Sequence, residues 1–347
     1  MEAIVRVLVV DDSAYVRKVV RQVLSRSPFI DVIGVARDGA EALEMSEELR
    51  PDVVTCDITM PVMDGVAFVR AQMARRPVPI VIISVASGNG EQVLSALDAG
   101  AVDFVQKPTA LADERLLDIA EDLVAKVKAA STAAMTSLPA PAVTNGAPKR
   151  AVASRATGRV EIVVLGVSTG GPQGLKVVIP ALPSDFPVPV AVVLHMPVGY
   201  TELYAQKLDE MSPLHVVEAR EGDEVVAGCV FIAPAGRHLT FRRDAGECVR
   251  THLDVQPIGS LHRPSVDQLF KSAAETFGGR VLAVVMTGMG SDGREGAAWI
   301  KAQGGVIVTE AEESCVVYGM PRAVVEAGLS DASVGLSGLA PAILERL

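Results

Sequence analysis

The chain has 347 residues, of which 49% are hydrophobic and 21% charged, and its formal net charge is -10 at neutral pH. That much apolar material suits two cores better than one. The acidic balance offers no field to hold a phosphate backbone, which argues against nucleic acid as a partner. Paired carboxylates at Asp11 and Asp12 come too soon for a secretory signal, and no apolar run is long enough to span a bilayer. A cytoplasmic protein with no direct membrane insertion is expected. Cys56, Cys229, Cys248 and Cys315 lack C-x-x-C spacing and read as reduced, structural thiols.

In the first third, apolar runs at 5–10, 32–36, 53–56, 80–83 and 104–105 alternate with segments of helical period at 13–25, 39–48, 66–73, 92–99 and 113–127. Such alternation predicts a parallel sheet covered on both faces. Asp11 and Asp12 follow the first strand, Asp57 the third, Ser84 the fourth and Lys107 the fifth, so their side chains gather at one sheet edge. Carboxylates crowded in this way need a cation, and an all-oxygen donor set suits Mg²⁺. Asp57 is then placed to attack a phosphoryl donor, with Lys107 and the Ser84 hydroxyl binding the transferred oxygens. A single Asp at a strand end more often caps the next helix. Polar residues at four strand ends together make aspartyl-phosphate chemistry the stronger reading.

These residues lie in V-V-D-D-S at 9–13, D-I-T-M-P-V-M-D-G at 57–65 and V-Q-K-P at 105–108, and over residues 1–125 the chain resembles the receiver domain of bacterial response regulators. The resemblance implies a flavodoxin-like (βα)5 fold, phosphorylation of Asp57 and Mg²⁺ held by Asp11, Asp12 and Asp57. It also implies phosphoryl sensing by Ser84 and Lys107 and an aromatic switch at Phe104. In S-V-A-S-G-N-G either Ser84 or Ser87 can supply the switch hydroxyl, and distance from the strand favours Ser84.

Residues 126–158 are dense in Ala, Ser, Thr and Pro and poor in large apolar side chains. They bury too little to offset their ordering entropy and read as a flexible linker.

In the remaining span, 159–347, E-I-V-V-L-G-V-S-T-G-G-P at 161–172 carries an apolar strand into Ser168, ahead of a helix. The strand in P-V-P-V-A-V-V-L-H-M-P ends at His195, and the strand at 280–286 leads through T-G-M-G-S-D-G to Asp292, beside a helix at 294–302. Taken singly, Ser168 and Asp292 read as caps and His195 as structural. Together, at three strand ends, they converge on one rim as nucleophile, base and orienting carboxylate. G-V-S-T-G fits the G-x-S-x-G elbow of α/β-hydrolases, but that fold places its acid before its histidine, whereas His195 precedes Asp292. A dinucleotide fingerprint G-x-G-x-x-G is not matched. The stretch 229–252, alternating around D-A-G at 244–246, predicts an antiparallel β-hairpin added to a doubly wound, mostly parallel α/β sheet. His215, His238, His252 and His262 show no ligand spacing and read as solvated or structural, although His262 and Arg263 are placed to line a cleft, with Ser265 capping a helix to Phe277.

G-V-S-T-G-G-P at 166–172, L-H-M-P at 194–197, R-P-S-V-D at 263–267, T-G-M-G-S-D-G at 287–293 and Y-G-M-P at 318–321 together resemble the catalytic domain of bacterial chemotaxis methylesterases. The resemblance implies Ser168 as nucleophile, His195 as base and then acid, Asp292 as orienting carboxylate and the Met289 backbone amide as an oxyanion donor. It implies hydrolysis of glutamate γ-methyl esters on the cytoplasmic helices of chemoreceptors, glutamine deamidation at the same site, and no cofactor for ester hydrolysis. It further implies phosphorylation by the chemotaxis histidine kinase and recruitment to receptor arrays. The alternatives are a phosphorylation-switched receptor adaptor with little hydrolase activity and an esterase for another signalling system.

Overall fold

Runs of valine and isoleucine form the strands of two parallel sheets, because β-branched side chains pack well on a pleated surface buried on both faces. The computed structural model describes residues 4–85, 90–107, 113–133, 135 and 160–347. The chain divides into one unit over residues 1–135 and another over 136–347.

The first unit runs β1 (Val5–Val10), α1 (Ala14–Leu24), β2 (Ile30–Ala36), α2 (Gly39–Leu49), β3 (Val53–Asp57), α3 (Gly65–Arg75), β4 (Ile80–Val85), α4 (Gly90–Asp98), β5 (Asp103–Lys107) and α5 (Asp113–Ser131). Its sheet has the order β2-β1-β3-β4-β5, with every pairing parallel. Ser13, Asp38 and Asp64 start the first three helices by accepting from backbone amides of Val16, Ala40 and Glu41, and Ala67 respectively. Val7, Val9, Val53, Val81 and Ile83 pack with Leu24 of α1 and with Leu123, Val127 and Ala130 of α5. Because these last three residues at helical spacing are buried, α5 continues past residue 126, where composition alone started the linker, and ends at Ser131. Residues 136–158 of that linker, together with Ser87 and Pro108, lie outside the described residues.

The second unit runs β6 (Ile162–Val167), α6 (Gly171–Val178), β7 (Val190–Leu194), α7 (Thr201–Asp209), β8 (His215–Glu218), β9 (Cys229–Ile232), β10 (His238–Arg243), β11 (Val249–Asp254), α8 (Val266–Phe277), β12 (Val281–Val285), α9 (Arg294–Ala302), β13 (Val306–Glu310), α10 (Met320–Glu326), β14 (Ala332–Val334) and α11 (Leu339–Leu344). Seven of these strands form a sheet of order β14-β13-β12-β6-β7-β9-β8, all parallel. The antiparallel hairpin is β10 and β11, a separate two-stranded sheet rather than an addition to the main one. Cys229–Ile232 is not part of it. Val230, Phe231 and Ile232 are buried in succession, the pattern of an interior parallel strand, and β9 inserts between β7 and β8.

The strand order reverses between β1 and β3 in one sheet and between β6 and β12 in the other, and the crevice beyond the strand ends at such a point is where ligands bind in open α/β sheets. Around β6 the packing is tight. A Cβ on Gly166 would collide with Val266 Cγ1 and lie 2.8 Å from its Cγ2. The missing side chain lets the start of α8 rest on the carboxyl end of β6. No helix among the described residues is long and apolar enough to cross a membrane.

Gly166→Ala is predicted to destabilise the second unit by about 1–3 kcal/mol through overpacking. Gly335→Ala, where an added Cβ meets nothing within 4 Å, should change stability little. Denaturant unfolding of both variants checks this, and equal, small effects would contradict the packing argument.

Candidate active site

In the first unit, β1 delivers Asp11 and β3 ends in Asp57, both buried on either side of the strand-order reversal, while Asp12 is exposed beside them. One ligand atom from each of Asp11, Asp12 and Asp57 falls within 4.8 Å of the others. Lys107, from the end of β5, reaches across the edge to Asp11 Oδ2 at 2.6 Å and Asp57 Oδ2 at 3.0 Å. The Ser13 amide donates to Asp11 Oδ1 at 2.9 Å and the Ile58 amide to Asp57 Oδ1 at 2.8 Å, which fixes the direction of both carboxyl groups. Burial raises the Asp57 pKa, and the Lys107 charge and hydrogen bond only partly oppose it. Ser84 at the end of β4 is fully buried, and its hydroxyl has no hydrogen-bond partner among the described residues. Phe104 is buried at 2% exposure, with the Lys126 ammonium donating to its carbonyl at 2.7 Å.

In the second unit, Ser168, His195 and Asp292 follow β6, β7 and β12, which are neighbours in the sheet. The Ser168 amide donates to Thr287 O at 3.0 Å and the His195 amide to Val167 O at 3.1 Å, so the turn bearing the serine is tied to both flanking strand ends. At Gly288 a Cβ would stand 2.8 Å from Ser168 Cβ and collide with Met320 Sδ. Only glycine allows this backbone to pass so close to the serine.

His195 Nε2 lies 2.8 Å from Asp292 Oδ2. That bond places the ring proton on Nε2 and leaves Nδ1 as the basic nitrogen, buried and without a partner among the described residues. The Ser168 hydroxyl makes no hydrogen bond among the described residues. Catalytic hydrogen bonds are often loose before substrate binds. His262 stacks on His195, with ring centroids 4.1 Å apart and planes inclined by 21°. Its place is therefore at the site, as one of the two sequence readings held, rather than in solvent or the core.

Asp292 also accepts from Ser265 Oγ at 3.0 Å, from the Val266 amide at 2.8 Å and from the Asp267 amide at 2.9 Å. These are the unpaired donors at the start of α8, where a negative charge is favoured. Burial pushes the Asp292 pKa up, but the His195 bond and charge and the two α8 amides outweigh it, holding the carboxyl well below the ordinary carboxylate range. Ser265 caps α8 as expected, accepting from the Gln268 amide, and in addition it donates to Asp292. Asp267 returns the contact by accepting from the Gly293 amide at 2.9 Å and the Gly296 amide at 2.7 Å at the start of α9. Burial, opposed by the Gly296 bond and reinforced by the Asp292 charge, raises the Asp267 pKa to about 6.

In the turn after β12, the Gly288 amide donates to Val317 O, while the Gly288 carbonyl accepts from Gly319 and Met320. The Met289 amide between them has no partner among the described residues and remains available to an oxyanion. Sequence reasoning did not find Thr287 and Glu310, which lie beneath this turn. The one signal for the latter was an acid ending an apolar strand, V-I-V-T-E.

Residues 163–343 match the family model described as CheB methylesterase, and residues 7–121 match that of the response regulator receiver domain. A protein-glutamate methylesterase/protein-glutamine glutaminase 5 of Myxococcus xanthus is 49% identical over 336 residues, covering 96% of each chain. A protein-glutamate methylesterase/protein-glutamine glutaminase 3 of Geobacter sulfurreducens is 42% identical over 99% of this chain and 97% of its own. The crystal structure of the Thermotoga maritima CheB methylesterase catalytic domain superimposes with a TM-score of 0.53 at 42% identity, covering 54% of this chain and 99% of that one.

Because folding raises the Asp267 pKa from 3.8 to about 6, its ionisation opposes folding. The opposition is absent where the group is protonated in both states and complete once pH exceeds the folded pKa. The stability of Asp267→Asn relative to the parent is therefore predicted to rise from about pH 4 to about pH 7 and then level off. Denaturant titrations across that range test this, and a difference that is flat or falls with pH would contradict it.

Proposed function

The chain belongs to the CheB methylesterase family and carries a response regulator receiver domain, and from that premise we propose that Ser168, His195 and Asp292 perform its acyl transfer under control of phosphorylation at Asp57. The protein is a protein-glutamate methylesterase and protein-glutamine glutaminase, a hydrolase of carboxylic esters and side-chain amides. The observation that carries the residue assignment is the 2.8 Å bond from His195 Nε2 to Asp292, which leaves Nδ1 as the base on the rim that holds Ser168.

As Ser168 Oγ attacks the ester carbonyl, Nδ1 of His195 takes its proton and Asp292 stabilises the imidazolium. The carbonyl oxygen becomes an oxyanion, for which the Met289 amide is the donor. Collapse breaks the C–O bond to the methoxy group, His195 returns the proton, and methanol leaves. Water, deprotonated by the same nitrogen, then attacks the acyl-serine and releases glutamate and the free hydroxyl. With a glutamine substrate the same protonation expels ammonia. The substrates are chemoreceptor cytoplasmic helices, and recruitment to receptor arrays brings the enzyme to them.

In the receiver, the Asp57 carboxylate attacks the phosphoryl group offered by the chemotaxis histidine kinase. Asp11, Asp12 and Asp57 present oxygen donors close enough together to hold one hard cation, a fit for Mg²⁺, which when bound neutralises charge on the transferring group. Lys107 is already paired with Asp57 and so adjacent to the new phosphoryl oxygens. The unpartnered Ser84 hydroxyl supplies a second donor to them, and Phe104 is the aromatic that reports the change.

Ser168→Ala is predicted to lower methanol release from methylated receptor membranes by about a thousandfold or more. Retained activity would remove the serine from the mechanism, whereas a parent as inert as the variant would revive the adaptor reading. Asp57→Asn is predicted to abolish the rise in methanol release caused by a small phosphodonor with Mg²⁺. A normal rise in that variant would place the switch elsewhere.

A further inference from the structure

Glu310 ends β13 with none of its surface exposed. Among the described residues no lysine, arginine or histidine pairs with it. A buried carboxyl group is tolerated when its oxygens are hydrogen-bonded, and both are. Oε2 accepts from the Thr287 amide at 2.8 Å, and Oε1 accepts from Ser314 Oγ at 3.0 Å. The ladder between β12 and β13 stops at Val285 and Thr309, so the Glu310 side chain takes the place of a backbone acceptor one step beyond the sheet.

Thr287 is the junction of the catalytic turns. Its carbonyl accepts from the Ser168 amide at 3.0 Å. Its hydroxyl donates to Thr169 O at 3.0 Å and accepts from the Val317 amide at 3.0 Å. The next three residues, Gly288 to Gly290, form the turn that presents the Met289 amide. We infer that Glu310 is a positioning residue for acyl transfer, fixing the Ser168 turn relative to the Gly288–Gly290 turn by holding the Thr287 amide from beneath. This rests on Ser168 being the nucleophile. Reacting groups misplaced by about 1 Å lose on the order of a hundredfold in rate, so one buried acceptor at this junction bears directly on turnover.

A glutamine at 310 preserves the arrangement, because its amide oxygen can accept from Thr287 while its NH2 donates to Ser314 Oγ, whose own proton then turns to Ala311 O at 3.2 Å. A leucine leaves the Thr287 amide buried without a partner. The experiment is methanol release by the full chain on methylated receptor membranes, with kcat and KM determined separately for Glu310→Gln, Glu310→Leu, Glu310→Ala and Ser168→Ala. The expected result is Glu310→Gln within about threefold of the parent, and Glu310→Leu about a hundredfold lower in kcat with KM within about threefold. Full turnover in Glu310→Leu, or an equal loss in Glu310→Gln, would overturn the inference. Should Glu310→Leu fail to fold, Glu310→Ala decides, since it also removes the acceptor of the Thr287 amide: a kcat loss of about tenfold or more with KM within about threefold supports the inference, and parental kcat overturns it. Activity in Ser168→Ala would refute the nucleophile assignment itself, whereas an inert Ser168→Ala beside a fully active Glu310→Leu would refute only the role of Glu310.

Discussion

Asp292 has a side chain only 7% exposed and is held ionised, an arrangement that a protein interior permits only where donors replace the lost water. Those donors are His195 Nε2, the Ser265 hydroxyl and the first amides of α8, Val266 and Asp267. Much of the second unit follows from that need. The start of α8 must stand at the rim of the sheet, which requires a residue without a Cβ at Gly166 where Val266 rests. Asp267, brought there by the same helix, caps α9 through Gly293 and Gly296 and so fixes the turn from which Asp292 projects. The carboxylate bonded to His195 thus also sits at the joint between two helices.

The two units solve the same problem with different chemistry. Each gathers acidic side chains where a parallel sheet reverses its strand order. Around Asp292 the charge is met by helix amides and an imidazole. Around Asp57 it is met by the ammonium of Lys107, shared with Asp11. A lysine, a point charge on a flexible stem, suits the phosphoryl acceptor proposed for Asp57, because it can shift onto new oxygens.

Much of this was legible in the sequence, since a strand end is a punctuation mark: an apolar run stops and a polar residue follows. Asp11, Asp57, Lys107, Ser168 and His195 stand at such points and Asp292 a turn beyond one, and the structure brings each set together on one edge. What escaped depended on tertiary placement. The alternation through 229–252 signals strands but not which sheet each joins, and β9 entered the parallel sheet while β10 and β11 paired alone. The end of α5 escaped because Ala130 looks like linker composition until it packs on the sheet. The stacking of His262 on His195 links residues far apart in sequence, which no spacing encodes. Glu310 is in sequence one acid at the end of an apolar run, and only its burial beneath Thr287 distinguishes it.

The central claim is that His195 Nδ1, freed by the Nε2 bond to Asp292, activates Ser168. The most direct measurement is labelling of the full chain with a fluorophosphonate, which forms a stable ester with an activated serine, followed by mass spectrometry of the peptides from the parent and from His195→Gln. A single adduct on the peptide containing Ser168, lost in His195→Gln, is the predicted result. Labelling on another residue, or undiminished labelling of Ser168 without the imidazole, would contradict it.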